Sequence, residues 1–243
     1  MDKIVVAKDD WVMFADAVRD NQMIHRDLSK VGSGVVERLG VDREFSPGMY
    51  IASFIQGRPS IQSIKTIKFR PEMVYDGDVI DMDVLPNALG KSIDYKFSKN
   101  GEAVCEIFGV KTGGPDGKCP RDLKTIDFRY STEIRSTDIA CYLDSLGYKA
   151  KVGRPSMFLA SQSGPALLAL GAEKGIKGGF HATQGFNHHH SYEDGPLEIQ
   201  VGNYVNRKAE SGSLKTGALR WVQNDRVIAS GRFSVGLLDS LSD

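Results

Sequence analysis

The sequence predicts an α+β protein in which an antiparallel sheet wraps a central buried helix, and predicts that this unit occurs twice. Three observations carry that expectation. A seven-residue segment recurs, since Pro47-Gly48-Met49-Tyr50-Ile51-Ala52-Ser53 returns as Pro155-Ser156-Met157-Phe158-Leu159-Ala160-Ser161. Both copies are almost wholly apolar at helical spacing, which marks a helix buried on most sides. Each is followed by several short segments rich in β-formers with turn residues between them, the pattern of an antiparallel sheet built after its helix.

Other markers keep the same order around the repeat. Met13-Phe14-Ala15-Asp16-Ala17 faces Cys141-Tyr142-Leu143-Asp144-Ser145, and Tyr75-Asp76-Gly77-Asp78 faces Tyr192-Glu193-Asp194-Gly195. Phe97-Ser98-Lys99-Asn100-Gly101 faces Trp221-Val222-Gln223-Asn224-Asp225. Four correspondences in register argue for duplication of a unit of about 120 residues. The units are expected at 1–111 and 129–243. The turn-rich stretch from Thr112 through Gly113-Gly114-Pro115-Asp116-Gly117 opens a linker over 112–128.

The elements follow in chain order. Asp9-Asp10 is expected to cap a helix whose apolar face is Trp11, Phe14, Ala15 and Val18. Pro47 suits the first position of the buried helix, where its missing N–H is not needed. Strands are expected at Ile61–Phe69, Asp78–Leu85, Ser92–Ser98 and Ala103–Val110, the last pair joined by the hairpin dipeptide Asn100-Gly101. The second unit repeats this with a helix from Ser136, a buried helix from Pro155 to about Glu173, and strands near 180–187, 197–206, 215–223 and 226–237.

Composition narrows the function classes. The chain has 243 residues, 41% hydrophobic and 26% charged, with 31 Lys+Arg against 31 Asp+Glu. Residues 1–121 carry 17 basic and 18 acidic side chains, and residues 122–243 carry 14 and 13. This neutrality argues against nucleic acid as a partner. No apolar run approaches the ~20 residues of a membrane span, and the N-terminal apolar stretch is too short for a signal peptide. Cys105, Cys119 and Cys141 are an odd number at wide spacings. They read as free thiols of a cytoplasmic protein.

The loop after the first helix reads Arg19-Asp20-Asn21-Gln22-Met23-Ile24-His25-Arg26-Asp27. It resembles the D-x-N-P-[IL]-H signature of the MaoC-like (R)-specific enoyl-CoA hydratase and 3-hydroxyacyl dehydratase family. Asp20, Ile24 and His25 match, with Gln22 and Met23 in place of Asn and Pro. Pro47-Gly48-Met49 resembles that family's H-G-M, with Pro for His. Phe69-Arg70-Pro71 and Asp76-Gly77-Asp78 resemble its "F-x-x-P…G-D" pair. The resemblance implies a double hotdog and a lyase that reversibly hydrates trans-2-enoyl thioesters to (R)-3-hydroxyacyl thioesters. It also implies an acyl-CoA or acyl-carrier-protein thioester as partner, no cofactor or metal, and a homodimer of such chains.

The chemistry explains why these residue types are needed. Hydration takes a proton from water and returns one to the α-carbon, which a carboxylate and an imidazole flanking one water can do. Asp20 and His25 are five positions apart, so a continuous helix would point them apart; a break after the helix lets both face one cleft. Gly48, at the start of the buried helix, offers a backbone N–H to the thioester carbonyl as charge builds there. Catalysis is therefore assigned to Asp20, His25 and Gly48, and substrate contact to Gln22, Pro47, Met49 and Ser53. A hotdog thioesterase and a non-catalytic acyl-thioester binding or scaffold subunit are the rival readings.

The remaining motifs carry less. The matching loop of the second unit, Gly147-Tyr148-Lys149-Ala150-Lys151-Val152-Gly153, holds neither carboxylate nor histidine, so that half is expected to shape the acyl pocket. His188-His189-His190 cannot all ligate one ion from a strand, because neighbours point to opposite faces; a structural or surface role is expected. Val31-Gly32-Ser33-Gly34 and Lys174-Gly175-Ile176-Lys177-Gly178-Gly179 lack the context of a phosphate loop and read as flexible connections. Lys65, Lys68 and Arg70 are candidate phosphate contacts for coenzyme A or a carrier protein, though solvated strand charge is the ordinary reading.

Overall fold

The computed structural model describes residues 2–57, 60–86, 90–118, 120, 123–148, 153–174, 179–209 and 212–237. The described residues form ten strands: β1 (Asp2–Val5), β2 (Ile61–Phe69), β3 (Val79–Pro86), β4 (Ile93–Lys99), β5 (Glu102–Thr112), β6 (Ile126–Ile134), β7 (Gly179–His188), β8 (Gly195–Ala209), β9 (Gly212–Gln223) and β10 (Arg226–Leu237). Six helices accompany them: α1 (Lys8–Ala17), α2 (Ser33–Leu39), α3 (Gly48–Ser53), α4 (Ser136–Ser145), α5 (Ser156–Ser161) and α6 (Ser163–Glu173).

All ten strands belong to one antiparallel sheet with the order β1-β3-β4-β5-β2-β7-β10-β9-β8-β6. The order β1-β3-β4-β5-β2 from one edge repeats as β6-β8-β9-β10-β7 from the other. The halves join edge to edge through β2 and β7, where Ser63 faces Asn187 and Ile64 faces Phe186. This corrects the expectation of two separate sheets. Buried Ile64 and Phe186 meet across this seam, and pairing the two strands satisfies the backbone groups that two sheet edges would leave open.

Local details agree between the halves. The turns β4–β5 and β9–β10 both place two residues at positive φ, Asn100 (52°) with Gly101 (86°) and Asn224 (50°) with Asp225 (56°). That is the geometry of a tight hairpin turn, and Asn and Asp tolerate it best after glycine. The first N–H of α1, from Lys8, donates to Asp76 Oδ1 at 2.8 Å, and that of α4, from Ser136, donates to Asp194 Oδ2 at 2.9 Å. Each early helix is thus capped from a distant turn. Asp9 and Asp10 lie inside the first turn of α1, with Ala7 as the cap residue, so they favour the helix through its dipole instead of capping it.

The core lies between the sheet and the helices. Trp11, Phe14, Tyr50, Tyr142, Phe158 and Trp221 are all fully buried. Phe14 meets Tyr50 edge-on at 5.5 Å between ring centroids, and Tyr142 meets Phe158 in the same way at 5.4 Å. Phe14 and Tyr142 then touch each other at 5.5 Å, linking α1 to α4. Edge-to-face pairs of this kind add specificity to the burial of large apolar area.

Several boundaries differ from the sequence-based expectation. Pro47 and Pro155 are cap residues, one position before their helices. The expected single helix after Pro155 is broken at Gln162 into α5 and α6. Pro165 explains the break, because it has no N–H for the Ser161 carbonyl and its ring crowds that turn. Gly32–Gly34 leads directly into α2 and is no flexible connection, and β1 and β6 were not expected. Cys105 is buried and Cys141 is exposed. Cys119, Lys149–Val152 and Gly175–Gly178 lie outside the described residues.

Candidate active site

Helix α1 ends in a turn that redirects the chain. The Arg19 N–H donates to the Asp16 carbonyl at 3.1 Å and the Asp20 N–H to the Ala15 carbonyl at 2.8 Å, with Arg19 at φ 59°. This left-handed helix ending normally falls to glycine. At the end of α4 it does, since Gly147 has φ 73° and Tyr148 N–H donates to the Leu143 carbonyl at 3.0 Å. Tyr148 therefore occupies the position of Asp20, and its hydroxyl donates to the Phe54 carbonyl at 2.5 Å. Arg19 is held by Thr132 Oγ1 at 2.6 Å and Asp138 Oδ2 at 3.1 Å.

The turn delivers Asp20 into the interior, where it is 7% exposed. Its carboxylate accepts the Gln22 backbone N–H at 3.1 Å and the Gln22 side-chain amide at 3.4 Å. Arg26 grips the loop from outside. It donates to the Asp20 carbonyl at 2.9 and 3.2 Å and pairs with Asp16 at 2.7 Å.

His25 closes the short 3-10 turn Met23–His25 and is also 7% exposed. Trp11 Nε1 donates to its backbone carbonyl at 2.9 Å, and its ring Nδ1 lies 2.8 Å from the Phe45 carbonyl. A carbonyl only accepts, so Nδ1 carries the proton and Nε2 keeps its lone pair. Among the described residues Nε2 has no partner. Burial holds the His25 pKa below the ordinary imidazole value, and the nearby Asp20 carboxylate and the Phe45 carbonyl pull it back upward. The ring is thus neutral near pH 7 with a carboxylate in its field.

Phe45 lies three residues before Gly48, so the His25–Phe45 bond ties the loop to the approach of α3. Gly48 is exposed, and neither its N–H nor that of Met49 has an acceptor among the described residues. A Cβ at Gly48 would sit 2.6 Å from Phe69 Cδ1, so any larger residue there would have to displace the Phe69 ring. Pro47, Met49 and Ser53 are buried beside it, and the Ser53 hydroxyl donates to the Met49 carbonyl at 2.7 Å.

The equivalent start of α5 is filled. Met157 N–H donates to the Gln56 side-chain oxygen at 2.9 Å, and the Ser156 hydroxyl donates to the Ile61 carbonyl at 2.7 Å. Ser156 Oγ also lies 3.1 Å from His188 Nδ1. The first half thus occupies with its own groups the place that stands open at Gly48.

The other sequence candidates are dispersed. His188 and His189 are buried, not on the surface; His189 bonds Asp116 and Ser230, both at 2.8 Å. No group of three metal-ligating residues occurs among the described residues, and no described helix is long and apolar enough to cross a membrane. Arg70 pairs with Glu106, while Lys65 and Lys68 are exposed on β2. A groove of about 830 Å³ contains Lys65 but none of the residues expected at the active site. Sequence reading gave no role to Arg19, Arg26 or Phe45, and placed Phe69 only in a strand motif. Arg26 directly follows the motif, whereas a backbone acceptor such as the Phe45 carbonyl has no residue signature.

No family model matches the sequence, and no curated protein matches it. Solved structures do. A "putative MaoC domain protein dehydratase" from Chloroflexus aurantiacus superposes with a TM-score of 0.60 at 11% identity, covering 98% of this chain and 93% of that one. A MaoC-like dehydratase from Phytophthora capsici gives 0.57 at 12%, covering 95% and 93%. An "oleoyl thioesterase (putative)" from Lactobacillus plantarum gives 0.56 at 9%, covering 100% and 95%. At such identities the likeness concerns the fold: the chain has the hotdog fold that these dehydratases and this thioesterase share.

Proposed function

We propose that the chain is a MaoC-like lyase that reversibly hydrates trans-2-enoyl thioesters to (R)-3-hydroxyacyl thioesters, carried by coenzyme A or an acyl-carrier protein. The observation that carries the reading is the neutral, oriented His25 ring, with a free Nε2, in the field of the buried Asp20 carboxylate and tethered to the approach of Gly48. The Asp20–His25 pair takes one proton from water as its oxygen bonds to C3. The electron pair moves toward the thioester carbonyl, where the Gly48 N–H stabilises the developing charge, and the pair returns one proton to C2. Water is added and no other reactant is needed.

Gln22 holds the carboxylate, and Pro47, Met49 and Ser53 bound the acyl side of the cleft. The mirrored strand orders, the paired hairpin turns and the two remote helix caps support an internal duplication, a double hotdog with units at 1–111 and 129–243 around a linker at 112–128. The filled start of α5 supports a second half without chemistry of its own. A homodimer of such chains in the cytoplasm completes the proposal.

One assay tests it. With a short enoyl-CoA, loss of enone absorbance without thiol release is the expected outcome; thiol release identifies a thioesterase, and neither signal with retained ligand binding a scaffold. Asp20→Asn and His25→Ala are expected to lower turnover by about 10²-fold or more with little change in melting temperature. If both variants unfold, the pair is structural.

A further inference from the structure

His189, which follows β7 directly, stands between two partners. Its Nδ1 lies 2.8 Å from Asp116 Oδ1 and its Nε2 lies 2.8 Å from Ser230 Oγ. Burial alone would raise the Asp116 pKa, but the bonds from His189 and from the Lys118 N–H outweigh it and hold the carboxyl below its ordinary value. An ionised carboxylate only accepts, so Nδ1 carries the proton and Nε2 is left to accept the Ser230 hydroxyl. The three side chains form a carboxylate–imidazole–hydroxyl relay, in which a base can activate a serine while a third group orients the base.

The relay is held from behind and open in front. Asp116 N–H donates to the His188 carbonyl at 3.1 Å and Gly117 N–H to the His189 carbonyl at 2.9 Å, which lays this stretch of chain along the end of β7. The buried His189 donates its own N–H to the Ile228 carbonyl at 2.8 Å. Along β10, Ala229 and Phe233 are buried in the core, while Ser230 and Arg232 alternate with them on the face turned away from the helices. Ser230 is half-buried and lines the groove of about 830 Å³ on that face. Asn187 of β7 faces it across the ladder, about 5 Å away between Cβ atoms, and the Asn187 amide has no hydrogen-bond partner among the described residues. Arg232 lines the same groove about 7 Å further along β10, exposed and with no ion-pair partner among the described residues.

We propose that Ser230 is a nucleophile and that this groove hydrolyses a carboxylic ester whose acyl chain ends in a carboxylate. Ser230 Oγ bonds to the ester carbonyl carbon as its proton passes to His189 Nε2, and the Asn187 amide donates to the carbonyl oxygen as that oxygen becomes negative. The bond from carbon to the alcohol oxygen then breaks, and the alcohol leaves with the proton from His189. Water attacks the acyl-Ser230 carbon and gives a proton to His189, which returns it to the departing Ser230 oxygen. Acid and alcohol are the products, and water is the one co-reactant. Arg232 receives the far carboxylate through two parallel bonds. Asp116 is a positioning residue: it holds the His189 tautomer and stabilises the imidazolium formed at each proton transfer.

A fluorophosphonate, which phosphonylates activated serines with loss of fluoride, tests the nucleophile on the full chain. Mass spectrometry of the digested protein is expected to place the label on Ser230. Ser230→Ala should abolish labelling with the circular dichroism spectrum unchanged, and Asp116→Asn should slow it about tenfold or more. With para-nitrophenyl esters, the mono-adipate is expected to turn over faster than the uncharged hexanoate, and Arg232→Gln should remove the difference. No labelling, a label on another residue, or an undiminished rate in a folded Asp116→Asn overturns the relay. Equal turnover of the two esters by the wild type overturns the substrate class. Should Asp116→Asn lose its melting transition, Ser230→Ala decides alone, and ester turnover that persists in it defeats the proposal. A chain that labels at Ser230 yet hydrates no enoyl thioester would defeat the reaction proposed for Asp20 and His25 and leave this site standing.

Discussion

Arg19 reaches from the turn that carries Asp20 to Asp138 at the start of α4, 3.1 Å away, and so fastens the candidate site of one half to the framework of the other. Its backbone is left-handed, a conformation that costs a non-glycine residue about 1 kcal/mol. Arg19→Ala keeps that strain and loses the ties to Thr132 and Asp138, so a loss of about 1–2 kcal/mol is expected in urea unfolding. Arg19→Gly removes strain and ties together and should fall within about 0.5 kcal/mol of wild type. Equal losses in the two variants would show that the turn stores no strain.

The proposed proton transfer by His25 needs the neutral ring. Burial lowers its pKa, so turnover is expected to rise with pH through a midpoint below about 6.5 and then level off toward neutrality. A kcat profile over pH 4.5–8 reads this directly. A midpoint above the ordinary imidazole value would contradict the burial argument.

Stability should follow the same direction. His25, His181 and His188 all have lowered pKa values through burial, His181 to about 4. The unfolded chain then binds protons that the folded chain does not. Stability is complete above about pH 6.5 and falls as pH drops toward the folded values, by up to about 1.4 kcal/mol per unit for each histidine. Denaturation midpoints at pH 7, 5.5 and 4 should decline in that order, and His181→Phe should flatten the decline.

Gln56 is 2% exposed and serves the helix of the other half. Gln56→Leu strands the buried Met157 N–H and should cost about 1–3 kcal/mol. Gln56→Glu keeps an acceptor for it. If leucine were tolerated as well as glutamate, the bond would contribute nothing.

The remote caps differ in what they hold. Asp76 accepts Lys8 N–H, whereas Asp194 accepts both the N–H and the hydroxyl of Ser136 and also Arg154. Asp76→Ala should cost about 1 kcal/mol, and Asp194→Ala measurably more, in parallel urea titrations.

Much of this was readable in the chain. Asn100-Gly101 and Asn224-Asp225 announce their hairpins because the required dihedrals select those residues. Asp20 and His25 stand out because a helix must break between them. What escaped depends on partners distant in sequence. Asp2–Val5 is a strand because β3 pairs with it. The Phe45 carbonyl orients His25 through a group that every residue possesses. Gln56 matters only because α5 begins beside it. Asp116, His189 and Ser230 come from three separate stretches of chain, and only the fold collects them. Pro165 was in plain view, yet the apolar run around it outweighed it.

The edge-to-edge union of β2 and β7 also constrains how the chain is made. During synthesis β2 emerges long before β7, and until residues 179–188 follow, its outer row of N–H and C=O groups faces water with an apolar flank behind it. A first half that folded at that stage would carry one adhesive side while its proper mate was still inside the ribosome. Lys65 and Lys68 on that strand are well placed to keep other nascent copies from claiming it first.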